Sequence, residues 1–166
     1  MQFNVSQLLR DGVGASRRYA LAPEPPVHRG EIELIRTPQG VLVRANVKVV
    51  LDATCSRCLV PFGYRAAVAF EEVYLQLYDV MSGARLNVEG DPESFTIDAR
   101  HTIDITEAVR QYSETAAALQ PLCRPDCPGF CAGCGADLSV APCRCERAPI
   151  DARWAALEKL KSSANG

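Results

Sequence analysis

The sequence predicts an α+β fold: an antiparallel β-sheet, open or curled towards a barrel, with a long helix and a C-terminal zinc-ribbon-like cysteine segment. Three observations carry this. Stretches at 31–36, 41–51 and 64–78 alternate apolar and polar residues, as half-buried strands do. A 3.6-residue face follows them, at Ile105, Val109, Tyr112, Ala116 and Leu119. Six of the eight cysteines then fall between residues 123 and 145. Strands in a meander followed by a helix argue against a parallel, Rossmann-like sheet.

The elements follow in order. Ser6 is placed to cap a short helix over Gln7 to Arg10, ended by Asp11-Gly12. Tyr19 to Ala22 reads as extended, up to the prolines at 23, 25 and 26. Thr37-Pro38-Gln39-Gly40 is a turn, with proline at its first central position. It joins the first two alternating runs into a hairpin, with Val41, Val43, Ala45, Val47 and Val49 on one face. Tyr64 to Tyr78 is the next strand, and 79–93 reads as a loop. Asp104-Ile105-Thr106-Glu107 resembles a capping box, so the long helix is expected to run from there to about Leu119. Asp151 would cap a closing helix that buries Trp154, Leu157 and Leu160. The chain therefore divides into a core domain, 1–120, and a cysteine-rich segment with a terminal helix, 121–166, meeting at Gln120-Pro121.

Composition excludes several classes. Of 166 residues, 48% are hydrophobic and 23% charged, which is not the balance of a disordered chain. No apolar run approaches the ~18 residues of a membrane span. Met1 to Ser16 does not read as a signal peptide, so the expected compartment is the reducing cytoplasm. The net charge of −2 is no whole-chain footprint for nucleic acid. It is unevenly spread, however: +4 over 1–65, −7 over 66–122 and +1 over 123–166.

The cysteines carry the chemistry. Cys55 and Cys58 form a lone Cys-x2-Cys between strands. The rest read Cys123-x3-Cys127-x3-Cys131-x2-Cys134-x8-Cys143-x-Cys145. Clustered thiols in a reducing compartment point to metal, and a four-thiolate set suits tetrahedral zinc. Two zinc ions per chain are expected. In one pairing, Cys131, Cys134, Cys143 and Cys145 hold one ion, with Gly135 supplying a positive-φ turn. Cys55, Cys58, Cys123 and Cys127 then hold the other and staple the tail to the sheet. In the alternative, Cys123, Cys127, Cys131 and Cys134 form a local site and Cys55 and Cys58 pair with Cys143 and Cys145.

No catalytic arrangement stands out, and the chain is expected not to be an enzyme. His28 and His101 are not spaced with the cysteines, and eight thiols fill two sites without an open position. The H-x-E and P-C-x-x-C pair of deaminases is absent. A thioredoxin-like βαβ context is missing, and no ferredoxin spacing matches. Gly12-Val13-Gly14 lacks the third glycine of a nucleotide loop. Asn4-Val5-Ser6 matches a glycosylation acceptor without an export signal. Glu71 and Glu72, adjacent in a strand, point to opposite faces and are poorly placed for joint acid–base work.

Several segments together resemble a known family. Cys55-Ser56-Arg57-Cys58-Leu59 after a Val-rich strand, then Glu71-Glu72, is similar to the core signature of the YceD family, the large ribosomal RNA subunit accumulation proteins. Pro121-Leu122-Cys123 through Cys127, and Gly129-Phe130-Cys131-Ala132-Gly133-Cys134-Gly135-Ala136-Asp137-Leu138, resemble its cysteine segment. Asp151 to Leu157 resembles its closing helix, and Ser6-Gln7-Leu8-Leu9 and Arg18-Tyr19 also fit. The resemblance implies a cytoplasmic, non-enzymatic ribosome-biogenesis factor that promotes 23S rRNA accumulation and large-subunit assembly. Its partner would be precursor large-subunit rRNA, a large-subunit ribosomal protein, or both, with no membrane or small-molecule substrate.

Three mechanisms are open at this level. The zinc-braced tail could present Arg124, Arg144, Arg147 and Arg153 to RNA. The acidic middle could steer a basic ribosomal protein for which the chain acts as chaperone. From a different class, the zinc-bound thiols could act as a redox sensor.

Overall fold

A computed structural model of the chain describes residues 1–88, 94–145 and Arg153. Arg147, the closing helix expected after Asp151, and residues 89–93 of the expected loop lie outside the described residues. In chain order the elements are β1 (Gln2–Asn4), α1 (Ser6–Arg10), β2 (Ser16–Leu21), β3 (Val27–Thr37) and β4 (Gly40–Thr54). Then come β5 (Pro61–Gln76), β6 (Thr96–Ile97), β7 (Thr102–Asp104) and α2 (Thr106–Thr115). They fall into two compact units: Met1–Ala53 with Pro61–Pro121, and Thr54–Val60 with Leu122–Gly166.

The first unit is built on a five-stranded sheet in the order β2-β3-β4-β5-β6, with β1 and β7 paired separately. β2, β3 and β4 pair antiparallel, while β5 and β6 run parallel, so the sheet is mixed. β2 and β6 are its edges, and it is therefore open, not closed into a barrel. Period-two patterning decides which face is covered. Val41, Val43, Ala45, Val47 and Val49 of β4 are buried, while Arg44, Asn46 and Lys48 between them are exposed. The buried face packs with Leu8 and Leu9 of α1, Ile103 of β7, and Ala108 and Val109 of α2 into one core. Glu71 and Glu72 do point to opposite sides: Glu71 accepts from Arg44 Nε at 2.6 Å, Glu72 from the Tyr112 hydroxyl at 2.6 Å.

The long helix is not found: α2 has ten residues and stops at Thr115. Its apolar face is used only at the start. Ile105, Ala108 and Val109 are buried, and Tyr112 stacks on Phe70 of β5 at 4.7 Å between ring centroids. Beyond Ser113 every residue to Gln120 is exposed, Leu119 completely, so nothing rewards further turns. The expected caps also differ. Ser6 lies inside α1, and Asn4 Oδ1 accepts from its backbone N–H at 3.1 Å. Asp104 Oδ1 accepts from the Thr106 N–H at 2.9 Å, but Glu107 turns to Arg110 and does not complete a box.

The turn after β3 is as expected, closing on the pair Thr37 and Gly40. Gly40 is buried, and a Cβ there would lie 2.0 Å from the Tyr74 carbonyl oxygen of β5. Gly40→Ala must therefore push β4 from β5. We expect a loss of about 1–3 kcal/mol in urea unfolding, as for an overpacked core, with the folded far-UV spectrum retained. An unchanged midpoint would show that the two strands separate without cost.

Candidate metal centres

Six residues, 55–60, join β4 to β5, which is too short for a parallel crossover, so the strands run antiparallel and the connection is a hairpin turn. Within it the Cys55 N–H donates to the Val60 carbonyl at 3.0 Å, and the Leu59 N–H to the Cys55 carbonyl at 3.0 Å. The second Cys-x2-Cys repeats these bonds at the same offsets. The Cys131 N–H donates to the Ala136 carbonyl at 2.8 Å, and the Gly135 N–H to the Cys131 carbonyl at 2.8 Å. It too closes a small hairpin, in which Phe130 bridges Asp137 and the Leu138 N–H donates to the Gly129 carbonyl at 2.9 Å. Each knuckle needs a left-handed residue just after its second cysteine: Leu59 has φ 56° and Gly135 φ 71°. Glycine adopts that backbone freely; leucine does so under strain.

The two knuckles recruit different partners. Cys55, Cys58, Cys123 and Cys127 bring their Sγ atoms within 4.8 Å of one another, and so do Cys131, Cys134, Cys143 and Cys145. Of the two pairings the sequence left open, this is the one with a non-local first group; the local set of Cys123, Cys127, Cys131 and Cys134 does not form. Cys55 and Cys127 are 3.7 Å apart at sulfur, Cys58 and Cys123 3.7 Å, and Cys134 and Cys143 3.4 Å. A tetrahedral ion with bonds of about 2.3 Å to sulfur sets its ligands about 3.8 Å apart, so both groups have the size of such a site. Neither includes a histidine or carboxylate: His28 is exposed on β3, and His101 occupies a left-handed turn position before β7.

Backbone groups prepare the sulfurs for charge. N–H groups of Cys123 and Cys58 draw the Cys55 thiol down to about 6. Those of Cys134 and Gly133 do the same for Cys131, to about 6. Desolvation and the sulfurs of Cys58, Cys127 and Cys55 push Cys123 up to about 12. The Cys143 and Cys134 sulfurs raise Cys145 to about 12. Each group thus holds one thiolate readily and resists a fourth. A divalent cation supplies the charge that four thiolates require.

Closure of the first group also depends on Gly129, which the sequence reading did not single out as a constraint. Its φ is +68°, and a Cβ would lie 2.8 Å from the Arg57 carbonyl oxygen. Arg57 Nη1 in turn donates to the Cys127 carbonyl at 2.9 Å. Among the described residues of the second unit only Cys55, Cys58, Cys127 and Gly129 are buried; no aliphatic or aromatic side chain is. Arg124 is exposed and pairs with Asp126 at 3.6 Å, and Arg144 and Arg153 are exposed.

An open mixed sheet together with two four-thiol knuckle groups defines a small β-rich protein with a metal-centre type of cysteine module. The chain matches the family described as large ribosomal RNA subunit accumulation protein YceD over residues 43–161, and it belongs to that family. Uncharacterized proteins of Mycobacterium tuberculosis and Mycobacterium bovis are each 33% identical over 122 residues, covering 74% of this chain and 56% of theirs. One from Mycobacterium leprae is 30% identical, over 74% of this chain and 54% of its own. The chain thus spans about half the length of these relatives. No solved structure matches.

The paired knuckles give a reciprocal prediction. Gly135→Ala meets no neighbour within 4 Å and is strained only by its φ. It should weaken metal retention at the second centre by about 1–2 kcal/mol, while Leu59→Gly strengthens the first by up to about 1 kcal/mol. Competition with a chromophoric chelator reads both; equal retention in all variants would dismiss the strain at Leu59. Metal removal should act unevenly. After chelation, amides of 122–145 should exchange with solvent at rates of unfolded chain, while those of β3 and β4 stay protected. Retained protection in 122–145 would show that the segment is ordered without an ion.

Proposed function

We propose that this protein is a non-enzymatic, zinc-binding ribosome-biogenesis factor of the cytoplasm that promotes 23S rRNA accumulation and large-subunit assembly. The carrying observation is the family match over 43–161, because the family's description names large-subunit ribosomal RNA. The fold supports a binding role. Both candidate centres are complete four-sulfur sets, leaving no coordination position for a substrate, so the metal acts in structure and not in turnover. Zinc is the ion that best suits tetrahedral, all-thiolate ligation without redox chemistry. Among its described residues the segment buries no aliphatic or aromatic side chain, so an ion would supply its order and tie the β4–β5 turn to Cys123 and Cys127.

Two measurements test this. Depletion of the protein from growing cells should lower the large-subunit peak in a sedimentation profile relative to the small-subunit peak. An unaltered ratio would refute the ribosomal role. Metal analysis of the purified chain should find about two zinc ions. One ion or none would overturn the two-centre assignment.

A further inference from the structure

The exposed face of the five-stranded sheet is arranged in rungs of very different charge. One rung is balanced: Arg18 pairs with Glu33 at 3.0 Å, Glu33 with Arg44 at 3.3 Å, and Arg44 with Glu71 at 2.6 Å. Those four residues alternate in sign across β2, β3, β4 and β5, and each acid has a cation beside it. The Arg18 and Arg44 guanidinium groups hold the Glu33 carboxyl below its ordinary range.

Two rungs away the balance is gone. Arg29 of β3 lies directly opposite Lys48 of β4 in the ladder. Like charges facing across a strand pair repel, so the register alone does not favour this match. Arg65 of β5 joins them, and the three line one hollow of about 310 Å³ with His28. All three are exposed, and among the described residues none of them forms an ion pair. A register shift between Val27 and Arg29 marks a bulge in β3, and it leaves both His28 and Arg29 facing solvent. On the rung between, Glu31 faces Asn46, a single acid beside three cations.

Shape follows charge. A shallow trough of about 430 Å³ continues from the cationic rung, bounded by Ala20, Asn46, Ala67 and Ala69 as well as Arg29 and Lys48. Small side chains let a polymer backbone settle close to the sheet. The aromatic side chains of β5 do not belong to this face: Phe62, Tyr64 and Phe70 alternate with the exposed Arg65, Ala67 and Ala69. A surface that reads unstacked bases needs aromatic platforms, and this one has none. It offers cations at strand spacing, with Glu31 and Asn46 as the other polar side chains of its lining.

We propose that this trough, with Arg29, Lys48 and Arg65 as its anchors, binds the phosphate backbone of double-stranded RNA. The proposal rests on the ribosomal reading above and locates its contact on the sheet, not on the tail arginines. Binding is read by shape and charge. Counterion release from the phosphates drives it, and the Arg29–Lys48 repulsion is relieved when a phosphate lies between them.

The test uses the full zinc-loaded chain and an RNA hairpin with a stem of about 20 base pairs, titrated across a salt series. The triple variant Arg29→Gln, Lys48→Gln, Arg65→Gln should bind at least about tenfold more weakly at moderate salt, with a log–log salt slope shallower by about 3. Circular dichroism and metal content should match the parent, which excludes misfolding. Arg124→Gln with Arg144→Gln should bind like the parent. The proposal falls if the parent ignores the hairpin, or if the triple variant binds as the parent does. It also falls if the tail pair, not the trough, carries the loss. If poly-glutamate and not RNA binds the parent and loses affinity in the triple variant, the trough is a protein-docking surface and the RNA assignment is wrong. Complementation separates this from the ribosomal reading. Normal 23S levels on depletion defeat that reading, whereas depleted 23S fully rescued by the triple variant defeats only the trough.

Discussion

Four sulfur atoms brought to one point are the constraint on which the second unit depends. A protein segment is ordered by what it buries, and this one buries three cysteines and a glycine among its described residues. Hydrophobic burial at about 25 cal/mol per Å² has almost nothing to act on among those described residues. Metal–thiolate bonds are an interaction strong enough to replace a core in so small a module, and both four-sulfur sets have the size to make them. The details of the backbone follow from that demand. Both knuckles use the same pair of hydrogen bonds, both accept a left-handed residue, and Gly129 gives up its side chain to let Arg57 approach. The first unit obeys a different rule, with an aliphatic core against one face of a sheet and an ionic lattice on the other.

The parts of the fold legible in the sequence were those set by local period. Alternation in 41–51 identified β4 and its buried valines, and the Pro38-Gln39 turn fixed its pairing with β3. The helix is shorter than its 3.6-residue pattern, which continues through Ala116 and Leu119, because among the described residues both are exposed. Its end depends on packing, which periodicity does not report. The cap differs for a related reason: Asn4 and Ser6 are both competent, and only the approach of the chain decides between them. The grouping of the eight cysteines could be narrowed to two schemes and no further, because choosing between them requires knowing that residues 55 and 127 meet. Leu59 was readable in principle. Superposing the two Cys-x2-Cys motifs places it where the other knuckle has Gly135.

The charge pattern shows the same limit from another side. Arg29, Lys48 and Arg65 all come from the basic first segment, yet they are 17 to 19 residues apart and look unremarkable in sequence. Strand register turns that spacing into a cluster. The tail arginines, which look clustered in sequence, include one that is neutralised locally by Asp126. Linear charge density is thus a poor guide to where a sheet protein presents its field.

The non-local first centre also imposes an order in time. Its sulfurs are separated by 65 residues between Cys58 and Cys123 and by 72 between Cys55 and Cys127. At synthesis rates of ~5–20 residues per second, the β4–β5 turn waits roughly 3–14 s for its partners to be made. The second centre closes within fifteen residues, 131 to 145, and has no such delay. For those seconds Cys55 and Cys58 are an unfinished pair, without the Cys123 N–H that does most to lower the Cys55 thiol in the folded chain. A nascent chain in that state holds two thiols open to oxidation before the four-sulfur set closes. Closure of the first four-sulfur set is therefore tied to the conditions the chain meets while residues 59–127 are being translated.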